Sequence, residues 1–436
     1  MTAFLERTFH VKERGSTIGR EIIGGLVTFL AMSYILVVNP SILGATGMDY
    51  TALVVATALA SGIGTLLTAF IANAPIGQST GLGVNAFFAY TLCLKMGYSW
   101  QQCLAITFIS GLVFLGIMLS PLRNKIIDAI PASLKRAISV GIGLFVTIIA
   151  FFNAGIIQTA NGILDLGTIT SGPGLLAIIG LVITAVLMIF NVKGAILIGI
   201  IAATLIGIPL GVTNTNVALS LSNISISPVF FKLSFTGLLS AGLVPLLTSI
   251  FTLAIIDTFD SIGTLTATLA ECNMIDESGN IMDKTMTKAL VADAAATCTG
   301  ALTGVSTITS FVESSTGIAA GARTGLASAV TGILFLLSCF LAPIAGIVPS
   351  AATAAALIIV GVLMFKNVKY IDWTDLEVAI PAFLTIVTMP FTYSISNGLG
   401  FGIIAYVLIK LIRGKYKEVN PLMYVLAALF TLMFIL

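Results

Sequence analysis

Long apolar runs separated by short polar stretches are the main feature of this sequence. The first run, residues 22–43, follows a charged N-terminal tail and is as long as the roughly 20 residues that a helix needs to cross a membrane. It is too long for a signal peptide and no cleavage site follows it, so we expect a retained span. Further helices are predicted near residues 51–72, 80–94, 100–120, 134–154, 174–190, 194–212, 238–270, 285–302, 306–322, 324–342, 349–365, 376–394 and 397–412.

These runs amount to fourteen predicted spans, seven on each side of a polar stretch at residues 213–234. The apolar tail 421–436 is either a short additional span or an interfacial helix. Because each half has an odd number of spans, the second half enters the membrane inverted relative to the first. We therefore predict an all-α polytopic membrane protein with 14 transmembrane segments arranged as a 7+7 inverted repeat.

The composition supports a membrane protein. Apolar residues make up 58% of the chain and charged residues 9%, against about 25% charged residues in soluble proteins. A soluble enzyme, a nucleic-acid binder and a disordered scaffold are excluded, and the net charge of +2 indicates no polyanionic partner. The five cysteines are scattered among apolar residues and are interpreted as small hydrophobic side chains.

The basic residues test the order of the spans, because cytoplasmic loops collect lysine and arginine. With a cytoplasmic N-terminus, all of the 20 basic residues except Lys95 and Lys232 fall on the inner side. An error of one span would move whole clusters, such as Arg123 to Arg136, to the other side. We therefore expect a multi-pass protein of the plasma membrane, the inner membrane where a cell has two, with its N-terminus inside.

Two predicted spans are poor continuous helices. The third begins with the glycine- and proline-rich stretch 74–83, and the tenth begins with the β-branched and hydroxyl-rich stretch 303–312. Interrupted segments at matching places in two halves indicate the binding site of a transporter. We expect two short extended strands, each followed by a half-helix, that meet near the membrane midplane. The alternative is two ordinary interfacial loops before short helices.

Four acidic residues lie within predicted spans: Asp257, Asp260, Asp293 and Glu313. A charge at a helix centre costs roughly 2.5–3.5 kcal/mol, so each needs a reason. Helical spacing places Asp257 and Asp260 on one stripe that is expected to line a cavity. The other members of the stripe are Ser261, Thr264 and Thr268.

Each acid also has a structural alternative. Asp260 and Glu313 could accept hydrogen bonds from backbone amides at the breaks. Asp257 could have no direct role and instead tune the properties of Asp260 or stabilise its half-helix. For Asp293, a contact with Lys288 or a nearby hydroxyl is the favoured interpretation. The only histidine, His10, lies in the N-terminal tail, so proton transfer would depend on carboxylates. A second acidic group, interpreted as a solvated connector rather than a calcium loop, consists of Glu271, Asp276, Glu277 and Asp283.

Several motifs resemble the nucleobase–cation symporter-2 family, in particular its AzgA-like purine permease branch, over essentially the whole chain. They are GGLVTFLAMSY (24–34), VNP (38–40), GLGVNAFFAY (81–90), DTFDSIGTL (257–265), TSFVES (309–314), GIAAGARTG (317–325) and MPFTYSI (389–395). The resemblance implies a core domain of spans 1–4 and 8–11 and a gate domain of spans 5–7 and 12–14. The corresponding boundaries are 1–21 for an N-terminal tail, 22–120 and 235–345 for the core, and 121–234 and 346–436 for the gate.

The resemblance also implies where the substrate binds. Asp260 matches the acidic position of span eight, Glu313 matches the glutamate of span ten, and Thr264 stands where some members have a polar residue or histidine. Aromatic stacking could fall to Phe87 or Phe88. The base would bind between the short strands of spans three and ten.

The residues suit a flat heterocycle rimmed with donors and acceptors, such as guanine or hypoxanthine, with adenine and xanthine left open. Glu313 can accept two N–H donors of a purine, and Phe87, Phe88 or Phe311 can cover its ring faces. We expect Asp260, with Asp257, to carry a coupling proton; Na⁺ remains an alternative, and no cofactor or metal is expected. The remaining candidate substrate contacts are Asn85, Ser306, Thr309 and Ser310, and a homodimer is left open.

Three other functions were weighed. An anion exchanger or channel of the same 7+7 fold would be opposed by two carboxylates facing the substrate. An intramembrane aspartyl protease needs aspartates on facing helices and usually a GxGD string, whereas Asp257 and Asp260 share one helix and that string is missing. A purely structural membrane protein does not explain so many buried acids. The prediction is a purine transporter and not an enzyme.

Overall fold

Regular structure in this protein is mostly helical. The structure, a computed structural model, describes residues 2–120, 129–160, 163–215, 224–272, 274 and 283–435. Arg123 and Lys125 of the predicted basic cluster lie outside the described residues, as do Asp276 and Glu277 of the predicted acidic connector.

The described part of the first half contains a short N-terminal helix and eight further helices. Several begin at side-chain caps: Asp49 accepts a hydrogen bond from the Ala52 amide, and Ser99 forms a capping box with Gln102. The helices are α1 (Thr2–Phe9), α2 (Ile18–Met32), α3 (Ile35–Leu43), α4 (Tyr50–Ile71), α5 (Leu82–Ala86, continued by a π-helical segment to Lys95), α6 (Trp100–Leu119), α7 (Ala132–Asn153), α8 (Gly172–Ile189) and α9 (Ala195–Gly207).

Nine helices lie among the residues of the second half that the structure describes. They are α10 (Leu243–Glu271), α11 (Asp283–Thr303), α12 (Ser314–Ala319), α13 (Gly325–Leu337), α14 (Ala342–Ala345), α15 (Ser350–Phe365), α16 (Leu376–Phe391), α17 (Ile395–Ile412) and α18 (Pro421–Ile435). Among the described residues, nine helical stretches are long and apolar enough to cross a membrane, and four shorter helices are apolar. The chain is therefore a multi-pass helical membrane protein.

The first predicted span is two helices instead of one. α2 ends at Met32 and α3 begins at Ile35, with Ser33 and Tyr34 forming a turn between them. The amides of Leu36 and Val37 bond back to the carbonyls of Ser33 and Tyr34, which tightens the chain at this point. The turn places the Tyr34 side chain in the buried interior.

Two short strands join the halves of the chain. β1 (Gln78–Thr80) pairs antiparallel with β4 (Ile308–Ser310), and Gln78 lies opposite Ser310. Hydrogen bonds from Gly81 to Thr307 and from Phe311 to Gly77 extend the pairing at both ends. The strands satisfy each other's backbone groups, which is what non-helical backbone requires at membrane depth.

A second strand pair was not predicted. β2 (Ile157–Ala160) and β3 (Ile163–Leu166) form an exposed antiparallel hairpin after α7. The all-α prediction is therefore wrong at this point, since the hairpin is a regular sheet element outside the helices. Its strands have only four residues each, so their pattern is too short to distinguish from a loop.

The helices pack in two groups. α2, α4, α6 and α10–α13 contact one another around the β1–β4 pair, and α7–α9 and α15–α17 form the other group. Basic residues of separate segments contact distant parts of the chain. Arg14 donates to the Arg323 carbonyl, and Glu377 of α16 pairs with Lys410 at the end of α17.

The N-terminal segment is docked against the first group. Phe9 and Val11 are buried against Ala69 and Leu326, and the Arg14 guanidinium donates to the Asn73 carbonyl at 2.8 Å. The predicted tail therefore belongs structurally to the end of the helix bundle. Only the contacts with distant segments show that the tail is docked, because its own sequence is that of an ordinary charged terminus.

Glu21, fully buried at the start of α2, gives a stability prediction. Its carboxylate accepts hydrogen bonds from the backbone amides of Arg323 (2.9 Å) and Thr324 (3.2 Å). Glu21→Ala should lower the free energy of unfolding by about 1–3 kcal/mol, because both amides lose their acceptor. Thermal unfolding of the purified protein measures this. Glu13→Ala, at an exposed position, should leave the midpoint nearly unchanged; equal midpoints for both variants would contradict the assigned role.

Candidate functional site

Asp293 lies at the centre of the polar cluster beside the strand pair. Its carboxylate accepts hydrogen bonds from Gln78 Nε2 (3.0 Å), Ser310 Oγ (2.8 Å) and Ser261 Oγ (2.5 Å). Gln78 belongs to β1, Ser310 to β4 and Ser261 to α10, so one side chain of α11 connects the strands and a helix. The favoured interpretation of a hydroxyl contact agrees with this geometry, although the sequence did not reveal its central position.

Asp257 is also fully buried and bonded within the protein. Its Oδ2 lies 2.8 Å from Thr297 Oγ1, and the same hydroxyl lies 2.9 Å from the Ile308 carbonyl of β4. One hydroxyl proton can be donated to only one of these acceptors at a time. The second oxygen, Oδ1, is buried and has no hydrogen-bond partner in the described part of the chain.

Asp260 and Glu313 differ from the two buried aspartates because both are partly exposed. They come from α10 and from the residue before α12, and α10 and α12 are in contact. Tyr34 Oη donates to Glu313 Oε1 at 2.7 Å. Within the described ranges, no other residue donates a hydrogen bond to Asp260 or to the second oxygen of Glu313, so both carboxylates can accept hydrogen bonds from a ligand.

The predicted stripe on α10 is split by these contacts. Asp260 and Thr264 are partly exposed, whereas Asp257, Ser261 and Thr268 are buried. Thr268 donates to the Thr264 carbonyl at 2.8 Å, so its hydroxyl is used within the helix. The expectation that the whole stripe lines a cavity is therefore wrong; helical spacing gives a common face but not the partners on that face.

Asn85 is a connector in this structure. Its Nδ2 donates to Asn39 Oδ1 at 2.5 Å, and Ser306 donates to its Oδ1. Asn39 in turn donates to Thr57 at 2.7 Å. Because Asn85 is fully buried with both ends of its amide engaged, it is not placed to contact a ligand in this conformation.

The aromatic and hydroxyl candidates are mostly enclosed. Phe87 and Phe88 are both fully buried, so neither offers an open ring face in this conformation, and Phe311 is also buried. Thr309 and Ser310 are buried in β4, where the Ser310 hydroxyl is bonded to Asp293. The open positions next to the strand pair are therefore Asp260, Thr264 and Glu313.

Three residues of this site were not singled out from the sequence: Tyr34, Gln78 and Thr297. Gln78 could have been found, since it is a strongly polar residue inside a broken apolar segment. Tyr34 and Thr297 carry no local signal, because their partners Glu313 and Asp257 lie far away in the chain. No cluster of three or more His, Cys, Asp or Glu side chains suited to a metal occurs among the residues that the structure describes.

The arrangement suits a neutral ligand with N–H donors. Two carboxylates lie together beside a strand pair, and each has a free oxygen facing partly open space. A carboxylate is an acceptor when ionised and a donor when protonated, so this pair can bind polar hydrogens and also take up a proton. A small anion would be repelled by both groups.

Comparison with known proteins assigns the family. The sequence model of a family described as the Permease family (Xan_ur_permease) matches residues 19–401. The chain is 43% identical over 438 residues to the guanine/hypoxanthine permease PbuG of Bacillus subtilis (strain 168), covering 98% of each protein. It is 38% identical over 429 residues to the adenine permease AdeP of Escherichia coli (strain K12), covering 98% of this chain and 95% of the relative.

The fold is shared with a more distant solved structure, the transmembrane domain of the cyanobacterium bicarbonate transporter BicA. The TM-score is 0.63 at 17% sequence identity, over 89% of this chain and 97% of that domain. At this identity the likeness concerns the fold alone. Because the family match and both relatives span nearly the whole sequence, the protein belongs to this permease family, the nucleobase–cation symporter-2 family, and is a multi-pass membrane transporter rather than an enzyme.

Proposed function

We propose that the protein imports purine nucleobases, with guanine and hypoxanthine as the first candidates, by proton symport and alternating access. The pairing of Asp260 with Glu313 beside the β1–β4 strands is the observation that carries this proposal. The names of PbuG and AdeP support the substrate class, since one is a guanine/hypoxanthine permease and the other an adenine permease.

Glu313 is proposed as the main substrate contact. Its free oxygen can accept an N–H of the base while Tyr34 holds the other oxygen, and charge-assisted hydrogen bonds are about twice as strong as neutral ones. Thr264 lies one helical turn from Asp260 and can complete the polar rim. Stacking by Phe87, Phe88 or Phe311 would require a movement that opens one of these rings.

Asp260 is proposed as the coupling group. While both carboxylates are charged they repel each other, and a proton on Asp260 removes that repulsion and leaves a neutral loaded site. A proton that crosses 100 mV releases about 2.3 kcal/mol, which corresponds to roughly fifty-fold accumulation of substrate. Asp257 supports this role through its position one turn away, and Na⁺ is the alternative coupling ion.

The two helix groups are proposed to be the core and gate domains. The core would comprise residues 22–120 and 235–345, and the gate residues 121–234 and 346–436. The nine long helices, the four short apolar helices, α11 and the α12 segment support fourteen spans plus the C-terminal helix α18. The distribution of basic residues supports a cytoplasmic N-terminus in the plasma membrane.

Competition for uptake tests the substrate class. The purified protein in liposomes should take up labelled hypoxanthine, and unlabelled guanine or hypoxanthine should compete while uracil should not. Adenine and xanthine in the same series define the preferred purine. If uracil alone competed, or if bicarbonate were exchanged instead, the proposed substrate class would be wrong.

Tyr34→Phe tests the position of Glu313. Loss of the phenol hydroxyl frees the Glu313 carboxylate to rotate, so we expect the KM for purine to rise about tenfold or more, the value of one hydrogen bond to a charged group. Uptake kinetics in liposomes measure this. Tyr424→Phe, which removes a hydroxyl bonded to the Tyr416 carbonyl outside the site, is the matched control. Equal KM values for both variants would contradict the proposed contact.

A further inference from the structure

An apolar cavity lies between α6, α10 and α18, away from the acidic site. Its enclosed volume is about 60 Å³, and it is open on one side. Among the described residues that line it, the only hydroxyl belongs to Thr258, which donates to the Ala254 carbonyl at 2.6 Å. The walls therefore offer no free polar group to water. α6 contributes Val113 and Ile117, α18 contributes Leu422 and Leu426, and α10 contributes five side chains, among them Phe251 and Phe259.

A polar cavity of about 460 Å³ lies near the apolar one. Neighbouring residues of the chain line the two cavities: Ile130 lines the apolar cavity and Pro131 the polar one, while Leu422 lines the first and Pro421 the second. The two cavities are therefore neighbours.

The charge in the polar cavity favours an anion. Lys417 lines it and forms no ion pair among the described residues. Glu418 is the only acidic residue among the described residues that line the cavity, and its carboxylate is bound by Lys410 at 2.7 Å. Tyr406 and Asn420 add hydrogen-bonding groups on the same wall.

We propose that these neighbouring cavities bind one anionic phospholipid, with an acyl chain between α10 and α18 and the phosphate at Lys417. The apolar cavity suits a hydrocarbon chain, and the polar cavity with Lys417 suits a phosphate at the membrane surface. A phospholipid is favoured over a free fatty acid because the polar cavity is the larger of the two. A carboxylate would leave most of it unfilled, whereas a glycerophosphate headgroup can reach several of its polar groups.

The position of the proposed lipid affects how the two helix groups would move relative to each other. α18 packs against α17 of the second helix group and against α10 of the first. An acyl chain between α18 and α10 therefore lies on the boundary along which the two groups would slide. We expect the bound lipid to support that contact and to raise the transport rate; this consequence rests on the proposed function, whereas lipid binding does not.

Binding is tested with phosphatidylglycerol that carries a photoreactive group on its acyl chain. After illumination of the full-length protein in mixed micelles, labelled peptides should map to residues 113–117, 251–259 and 422–426. Native mass spectrometry should show one retained phosphatidylglycerol in preference to phosphatidylcholine. Labelling confined to other helices, equal retention of both lipids, or occupation by oleate in place of phospholipid would each overturn the proposal.

Substitutions test the contribution of the Lys417 charge and that of the apolar cavity separately. Lys417→Gln should weaken phosphatidylglycerol binding about fivefold, which corresponds to the loss of one lysine at an anionic surface. Lys369→Gln, at a residue that does not line the polar cavity, should leave binding unchanged. Ala254→Phe should fill the apolar cavity and prevent acyl labelling; Leu426→Trp serves if that variant does not fold. Unchanged binding in Lys417→Gln and in the folded filling variant would reject the site.

Uptake assays test the effect of the bound lipid on the transport rate separately from lipid binding. Adding phosphatidylglycerol to phosphatidylcholine liposomes should raise hypoxanthine uptake by the wild type and Lys369→Gln more than by Lys417→Gln. Equal stimulation of all three would reject the proposed effect on transport. Absence of uptake in every liposome, with lipid labelling intact, would instead reject the proposed function and leave the lipid site supported.

Discussion

Glu313→Gln should reduce purine uptake by about a hundredfold or more. Glutamine keeps the size of the side chain but has one acceptor and one donor group. With its oxygen held by the Tyr34 hydroxyl, its N–H₂ group would face the N–H of the base. Losing a charge-assisted hydrogen bond of about 1.5–3 kcal/mol and setting two donors against each other account for an effect of this size. Initial uptake rates of labelled hypoxanthine in liposomes provide the measurement.

The control for this change is Glu271→Gln. Glu271 is exposed at the end of α10, so the same chemical substitution there should leave uptake nearly unchanged. Size-exclusion chromatography and thermal unfolding should show that both variants are folded. Uptake by a folded Glu313→Gln protein at the wild-type rate and affinity would remove Glu313 from the substrate site.

Asp260→Asn should separate exchange from accumulation. Asparagine is neutral, as protonated Asp260 would be, so the loaded site can still move between the two sides. We expect exchange of labelled for unlabelled hypoxanthine to persist, while accumulation driven by an imposed pH gradient falls towards the background level. Both quantities can be measured in the same liposomes by reversing or removing the gradient.

Asp165→Asn, in the exposed β2–β3 hairpin, is the matched control and should respond to the pH gradient like the wild type. A full response of Asp260→Asn to the pH gradient would reject Asp260 as the coupling group. Accumulation by the wild type with an inward Na⁺ gradient and no pH gradient would reject proton coupling altogether.

The four acids within the helix bundle divide into two functional types. Asp293 accepts three hydrogen bonds and Asp257 lies beside Thr297, and both are fully buried. Asp260 and Glu313 retain free oxygens next to partly open space. The sequence identifies all four as costly at membrane depth, but the cost alone does not tell whether a carboxylate is satisfied by the protein or by a ligand.

Much of the architecture could be predicted because the bilayer constrains local composition. Apolar runs mark the helices, and glycine, proline and β-branched residues mark the segments that contain β1 and β4. Both signals depend only on neighbouring residues. The exposed hairpin and the break at Tyr34 were missed, since short elements have weak patterns and either conformation is compatible with the residues around Ser33.

The identity of the open carboxylates could not be predicted in the same way. Gln78 and Asp293 are separated by 215 positions in the sequence, and Tyr34 and Glu313 by 279. Pairs so distant meet only when the inverted halves pack together. Asn85 illustrates the consequence: its position in a broken segment predicts a substrate contact, but Asn39 and Ser306 occupy its amide.

By itself, the sequence determined that this protein lies in a membrane, where its helices run, where two of them are interrupted, and which acidic residues need a partner. These properties follow from the energy of placing each side chain in hydrocarbon, which is local. The tertiary structure decided which acids are bonded internally, which remain open beside the strands, and that the N-terminal segment is docked. Those outcomes depend on hydrogen-bond partners from distant segments, and only the packed helices bring them within reach.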